Sequence, residues 1–205
     1  MNKDFFNRNA EIVARELLGK IFVRKINDGR IKKLKAKIVE TEAYFNEKDP
    51  ASRARQKGDL RDTMKMCPGT ILVYGVHASW LMNIVTDEEG RASAVLIRAL
   101  EPLNFSERCG GPGLLTKALK IGKEFHKRNI LNDKEVWVEE FGNSRQNKKY
   151  KSLARANGPS SYVFKDTNKK NNNFKIIKSF RIGVKEDLSR KLRFYIKNSP
   201  YISKL

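Results

Sequence analysis

The sequence predicts a single α+β domain in which a mostly antiparallel sheet carries peripheral helices. Three observations point there. Strand-like runs are joined by turns too short for helical crossovers. Helical periodicity is confined to two stretches. Apolar content of 40% over 205 residues allows one well-buried core.

Taken in order, Asn9 caps a helix whose apolar residues Ile12, Val13, Leu17 and Leu18 share a stripe, and Gly19 ends it. Ile21-Phe22-Val23, the turn Asn27-Asp28-Gly29 and a second run reaching Tyr44 form a hairpin. Residues 45 to 62 are polar and turn-rich, which predicts an irregular connection. Pro68-Gly69 opens a series of three strands, Thr70 to Val76, Leu81 to Thr86 and Ala94 to Leu100. Gly110-Gly111-Pro112-Gly113 precedes a helix containing Leu114, Leu115, Ala118 and Leu119. Val136-Trp137-Val138 is a short strand, and Leu192 to Ile196 with Tyr201-Ile202 close the fold as strands. From about 143 to 175 the composition turns to Asn, Lys and Ser, which predicts a basic, flexible insertion inside the one domain spanning 1–205.

Lys and Arg number 43 against 23 Asp and Glu, a net charge of +20. That excess favours nucleic acid or an acidic membrane surface as partner. An AT-rich genome would inflate Lys, Asn and Ile in the same way, so composition alone does not separate these readings. Half of the excess is local: Asn143 to Arg181 holds eleven basic residues and one acid. Cys67 and Cys109 are the two cysteines, too few for a disulfide framework or a four-thiolate zinc site, and neither metal nor cofactor is expected. No apolar run reaches the ~18 residues of a membrane span, and the first residues lack a signal-peptide core. The expected setting is intracellular, bacterial nucleoid-associated or otherwise, with no membrane partner.

Against that charge, the run Ile38-Val39-Glu40-Thr41-Glu42-Ala43-Tyr44 is out of character. A strand points alternate residues to one face, so Glu40, Glu42 and Tyr44 project together at roughly 7 Å intervals. A surface meant only to hold phosphates gains nothing from paired acids, so the row points to chemistry on a bound polyanion. Spacing alone equally allows Glu42 to be a solvated sheet residue and Glu40 to be an ion-pair partner.

That run occurs in order with Asp49-Pro50-Ala51-Ser52, Tyr74 to Asn83, Val95-Leu96-Ile97-Arg98-Ala99-Leu100-Glu101-Pro102, Gly111-Pro112-Gly113 and Leu192-Arg193-Phe194-Tyr195. Together these resemble the alkyladenine (3-methyladenine) DNA glycosylase family over about Phe5 to Ser203. The resemblance implies a curved sheet with a DNA-inserting hairpin, a monomer acting on duplex DNA, and hydrolysis of the N-glycosidic bond of an alkylated adenine, hypoxanthine or ethenoadenine. Such cleavage passes through an oxocarbenium-like sugar, which calls for an acid/base and nearby negative charge. The base must also leave the stack for an aromatic-lined pocket.

By the same resemblance, Glu42 activates water and Arg98 lies beside it, while Tyr44 and Tyr74 wall the base pocket. Asn83 crowds the purine 2-position. Two alignments are open between Tyr74 and Asn83. Without a gap, His77 is the intercalating wedge; matched to a Tyr-Gly-Met-His pattern, Tyr74 becomes the wedge. Two departures stand out. Arg53 occupies a base-pocket position where the family carries histidine, and a guanidinium repels a cationic base, which predicts a preference for neutral lesions. Leu114 stands where a phosphate-contacting lysine is usual, a contact that insertion lysines could supply. The alternative function is a nucleic-acid-binding protein that keeps the fold and has lost turnover.

Overall fold

The computed structural model describes residues 1–141 and 174–203. Most of the predicted insertion therefore lies outside the described residues. Four helices, α1 (Lys3–Phe6), α2 (Ala10–Leu17), α3 (Asp59–Met64) and α4 (Pro112–Ala118), surround one eight-stranded antiparallel sheet. Its strands are β1 (Ile21–Asn27), β2 (Ile31–Tyr44), β3 (Ile71–Val76), β4 (Ser79–Val85), β5 (Ala94–Pro102), β6 (Val136–Glu139), β7 (Ile176–Ser179) and β8 (Arg193–Ile196). The order β3-β4-β5-β2-β1-β6 is extended by β8 on β2 and by β7 on β8. This is the α+β, antiparallel architecture that the sequence predicts.

Strand β2 organises the sheet. Along one edge it pairs first with β1 and then, at Glu40 to Glu42, with β8, while β5 runs along the other edge from Ala36 to Tyr44. The β2–β5 register shifts on both sides of Glu40, so that Val39 and Arg98 fall outside the paired register at the irregularity. A bulge bends a strand and re-aims the side chains beside it, and here it does so under Glu40 and Arg98.

Asn9 caps α2, its Oδ1 accepting the Glu11 N–H at 2.9 Å. Val13, Ala14 and Leu17 are fully buried, each worth up to about 1.5–3 kcal/mol for the larger side chains. Ile12 is exposed, contrary to the predicted stripe, because the buried positions 10, 13, 14 and 17 follow a helical period that turns Ile12 outward. Residues 45 to 62 are not wholly irregular: a 3-10 turn forms at Arg53–Arg55 and α3 begins at Asp59. At six residues α3 is too short to show periodicity. Tyr201 and Ile202 sit in a turn and bend, not in a strand, since β8 ends at Ile196. The short elements α1 and β7 were not expected.

The β3–β4 hairpin closes on a two-residue turn, His77-Ala78, with φ of 46° and 59°. Such turns favour Asn-Gly, because left-handed φ costs a residue with a Cβ about 1–2 kcal/mol. Helix α4 lies against the hairpin. A Cβ on Gly113 would meet the Ser79 Cβ at 2.8 Å, and Thr116 Oγ1 donates to the Trp80 carbonyl at 2.7 Å. Two cores result. The larger fills the face beneath α2 and α4; the smaller, around Met64, Leu72, Val85 and Ala94, packs against Tyr44 and Tyr74.

Candidate active site

Glu42 reaches the site from the last third of β2 and is fully buried. Its Oε2 accepts the Tyr44 hydroxyl at 2.8 Å and Arg98 Nη1 at 3.3 Å, and its Oε1 accepts the Ile182 N–H at 2.9 Å. Burial pushes the Glu42 carboxyl above the ordinary carboxylate range. Arg98, the Ile182 N–H and Tyr44 oppose that rise, and Glu40 adds to it. The result is a buried carboxylate whose charge is supported by three donors.

Tyr44, Arg53, Tyr74 and Asn83 line one cleft, floored by Met64, Leu72 and Ala94. Tyr44 and Tyr74 thus face the same space, and Tyr44 joins that space to Glu42 through its hydroxyl. Burial, then the Glu42 charge, drives the Tyr44 phenol well above its usual value, so it stays a donor. Burial also raises Tyr74, against the pull of Arg53 and Asn83. The Arg53 guanidinium lies 5.0 Å from the Tyr74 ring centre, on an exposed side chain held by the Ser52-capped turn. Asn83 is buried, its Nδ2 donating to the Leu72 carbonyl at 3.3 Å.

His77 stands away from this cleft, exposed at the hairpin tip, while Tyr74 stays inside it. Leu114 is exposed on the first turn of α4. A larger groove, about 400 Å³, runs on the other side of the hairpin between Trp80 and α4 and holds none of the site residues.

Three functional neighbours have no role in the sequence reading. Arg181 is among the cations counted with the basic stretch, yet it is buried. It grips Asp49 with two bonds of 2.7 Å, bonds Asp187 Oδ1 from Nε at 2.9 Å, and lies 4.6 Å from the ring centre of Tyr44. Ile182, the next residue, supplies its N–H to Glu42. Arg193 pairs with Glu40 at 2.6 Å, the ion pair that spacing allowed for Glu40. Hydropathy carries no signal for such buried ion pairs; their only trace is acids and arginines scattered through polar segments.

A curved antiparallel sheet bearing a hairpin, with an aromatic cleft opening beside a buried carboxylate and arginine, has the parts of a base-excising DNA repair enzyme. The comparisons agree. The model of the methylpurine-DNA glycosylase family matches residues 4–200, and the chain belongs to that family. A protein of Aeropyrum pernix named "Putative 3-methyladenine DNA glycosylase" is 37% identical over 98% of this chain and 92% of its own length. Proteins of the same name from Legionella pneumophila strain Paris and Clostridium perfringens strain 13 are 38% and 32% identical, covering 98% and 100% of this chain and 97% and 98% of their own lengths. The chain is accordingly a DNA glycosylase of the methylpurine type. Among the described residues no helix is long and apolar enough to cross a membrane.

Proposed function

We propose that the protein flips a damaged purine out of duplex DNA and hydrolyses its N-glycosidic bond with a water activated by Glu42. The base enters the cleft between Tyr44 and Tyr74, where aromatic faces replace the stacking it loses. Glu42 takes a proton from water as the oxygen bonds C1′ of the sugar. The C1′–N bond breaks, and the base departs with its electron pair. Arg98 keeps Glu42 ionised, and the carboxylate charge favours the oxocarbenium-like transition state. His77, on its strained turn, enters the gap left in the stack. Asn83 crowds the purine 2-position, and the excess of basic residues holds the phosphates.

The observation that carries this reading is that Glu42 is fully buried and bonded to the hydroxyl of a pocket-wall tyrosine. The test uses duplexes with one hypoxanthine, ethenoadenine or 3-methyladenine, incubated with wild type and Glu42→Gln. Wild type should release the base, and the variant should bind the duplex with excision reduced by about 10³-fold or more, a loss of about 4 kcal/mol of barrier lowering. Because burial raises the Glu42 carboxyl, the acidic limb of the wild-type rate should lie above the usual carboxylate range, with activity rising as pH rises through it. Equal activity in both proteins removes Glu42 from the mechanism. Binding without excision by wild type identifies a protein that has kept the fold and lost turnover.

A further inference from the structure

We infer that Glu40 and Ser203 are positioning residues for excision, which together fix the Arg98 guanidinium against the Glu42 carboxylate. The inference rests on the reading of Glu42 given above and extends it. Glu40 is fully buried and makes four contacts. Its Oε1 accepts Arg193 Nε at 2.6 Å and the Ser203 hydroxyl at 2.8 Å, and lies 3.3 Å from Arg98 Nε. Its Oε2 accepts the Ser203 N–H at 2.6 Å. The Ser203 hydroxyl sits between the other two groups, accepting Arg98 Nε–H at 3.0 Å while donating to Glu40.

A guanidinium is planar, so a fixed Nε edge fixes the direction of its Nη atoms. Arg98 Nη1 is thereby aimed at Glu42 Oε2, 3.3 Å away, and at the Ile182 carbonyl, 3.5 Å away. A buried structural acid needs its charge offset and its lone pairs filled, which does not require that a partner be the arginine facing Glu42. Glu40 instead holds two arginines and a serine at the bulge where β2 passes the catalytic arginine. It also balances the charge. Glu40 and Glu42 are offset by Arg98 and Arg193, so loss of Glu40 leaves two arginines facing one carboxylate. The groups that bear on Glu42 are Glu40 and Tyr44 from β2, Arg98 from β5, Tyr74 from β3 and the Ile182 N–H, and Arg193 of β8 is its register partner in the sheet.

The test measures single-turnover excision of hypoxanthine across pH, with duplex affinity by fluorescence anisotropy, for wild type, Glu40→Gln, Ser203→Ala and Ser203→Thr. Glu40→Gln should excise about 10-fold or more slowly at saturating protein, the loss of one charge-assisted bond. Its duplex affinity should stay within about twofold, and its acidic limb should move to lower pH, because the like charge of Glu40 no longer opposes ionisation of Glu42. Ser203→Ala should lose several-fold in rate at constant affinity, and Ser203→Thr should recover it. Wild-type rates with an unmoved acidic limb would overturn the inference, as would a rate loss matched by lost affinity. Should Glu40→Gln fail to fold, the serine pair decides: Ser203→Ala at full rate is a refutation. An inactive wild type overturns the Glu42 reading and this inference with it. An active wild type with unaltered variants overturns this inference alone.

Discussion

Replacing Arg181 by methionine should be among the most damaging single changes that leave the catalytic groups in place. The side chain is fully buried, and its partners Asp49 and Asp187 are 1% and 14% exposed. Methionine fills similar space but strands the Asp49 carboxylate in a site where, among the described residues, only the Phe45 and Ala51 N–H groups still reach it. Breaking a buried pair from one side costs about 3–5 kcal/mol, and the lost contact with the Tyr44 ring lies within that range. For a domain of this size each kcal/mol lowers Tm by about 2–4 °C, so a loss of about 4 kcal/mol predicts a fall of about 8–16 °C. Near-ultraviolet circular dichroism melts at pH 7 would read it. Asp49→Asn in the same background should recover part of the loss, since the stranded charge is then gone.

The pH dependence has a definite sign. Burial alone would lift the Asp49 carboxyl, but Arg181 and the Phe45 and Ala51 N–H groups hold it below the ordinary range. A carboxyl depressed in the folded state stabilises above its unfolded value of about 3.9 and loses that contribution as pH falls through the folded value. The gap between wild type and Arg181→Met should therefore narrow as pH falls through 4. A Tm change under about 3 °C at pH 7, or a gap that widens in acid, would refute the clamp.

Ala78→Gly should raise stability by about 1 kcal/mol, since glycine adopts the left-handed φ of 59° without a Cβ clash; urea melts would show a higher midpoint at unchanged slope. Arg53→His should raise excision of cationic 3-methyladenine relative to neutral hypoxanthine by about tenfold, because it removes a permanent cation lying over Tyr74; an unchanged ratio in competition assays would sink the neutral-lesion preference.

The long strand β2 and its hairpin with β1 were legible in the sequence because strand-forming runs and the turn Asn27-Asp28-Gly29 are local signals, whereas the His77-Ala78 turn carries no such signal. The convergence of Tyr44, Tyr74, Asn83 and Arg53 on one cleft was legible only through the family resemblance, as these residues come from separate elements. What stayed hidden shares one cause. Arg181 and Arg193 look like surface cations, and Ser203 like a residue in a polar tail, because burial of a charge depends on partners far along the chain. Tyr201 and Ile202 have strand propensity but sit in a turn and bend after β8, where tertiary context overrides the preference. Helix α3 is set by its neighbours more than by its own six residues.

The contact between Gly113 and Ser79 has a mechanical meaning. A fingertip on a loose loop would buckle when pushed into stacked bases, and the nucleic acid would keep its shape. Here the finger is splinted by a helix lying against it just behind its tip, with the Thr116–Trp80 bond as a second tie. If the hairpin inserts as proposed, the compliant body is the duplex, and the work of insertion is stored in the bent nucleic acid. On that proposal, sites already softened by a poorly stacked or mispaired base would yield at the lowest load, and a stiff prong would probe for softness before any pocket reads the base.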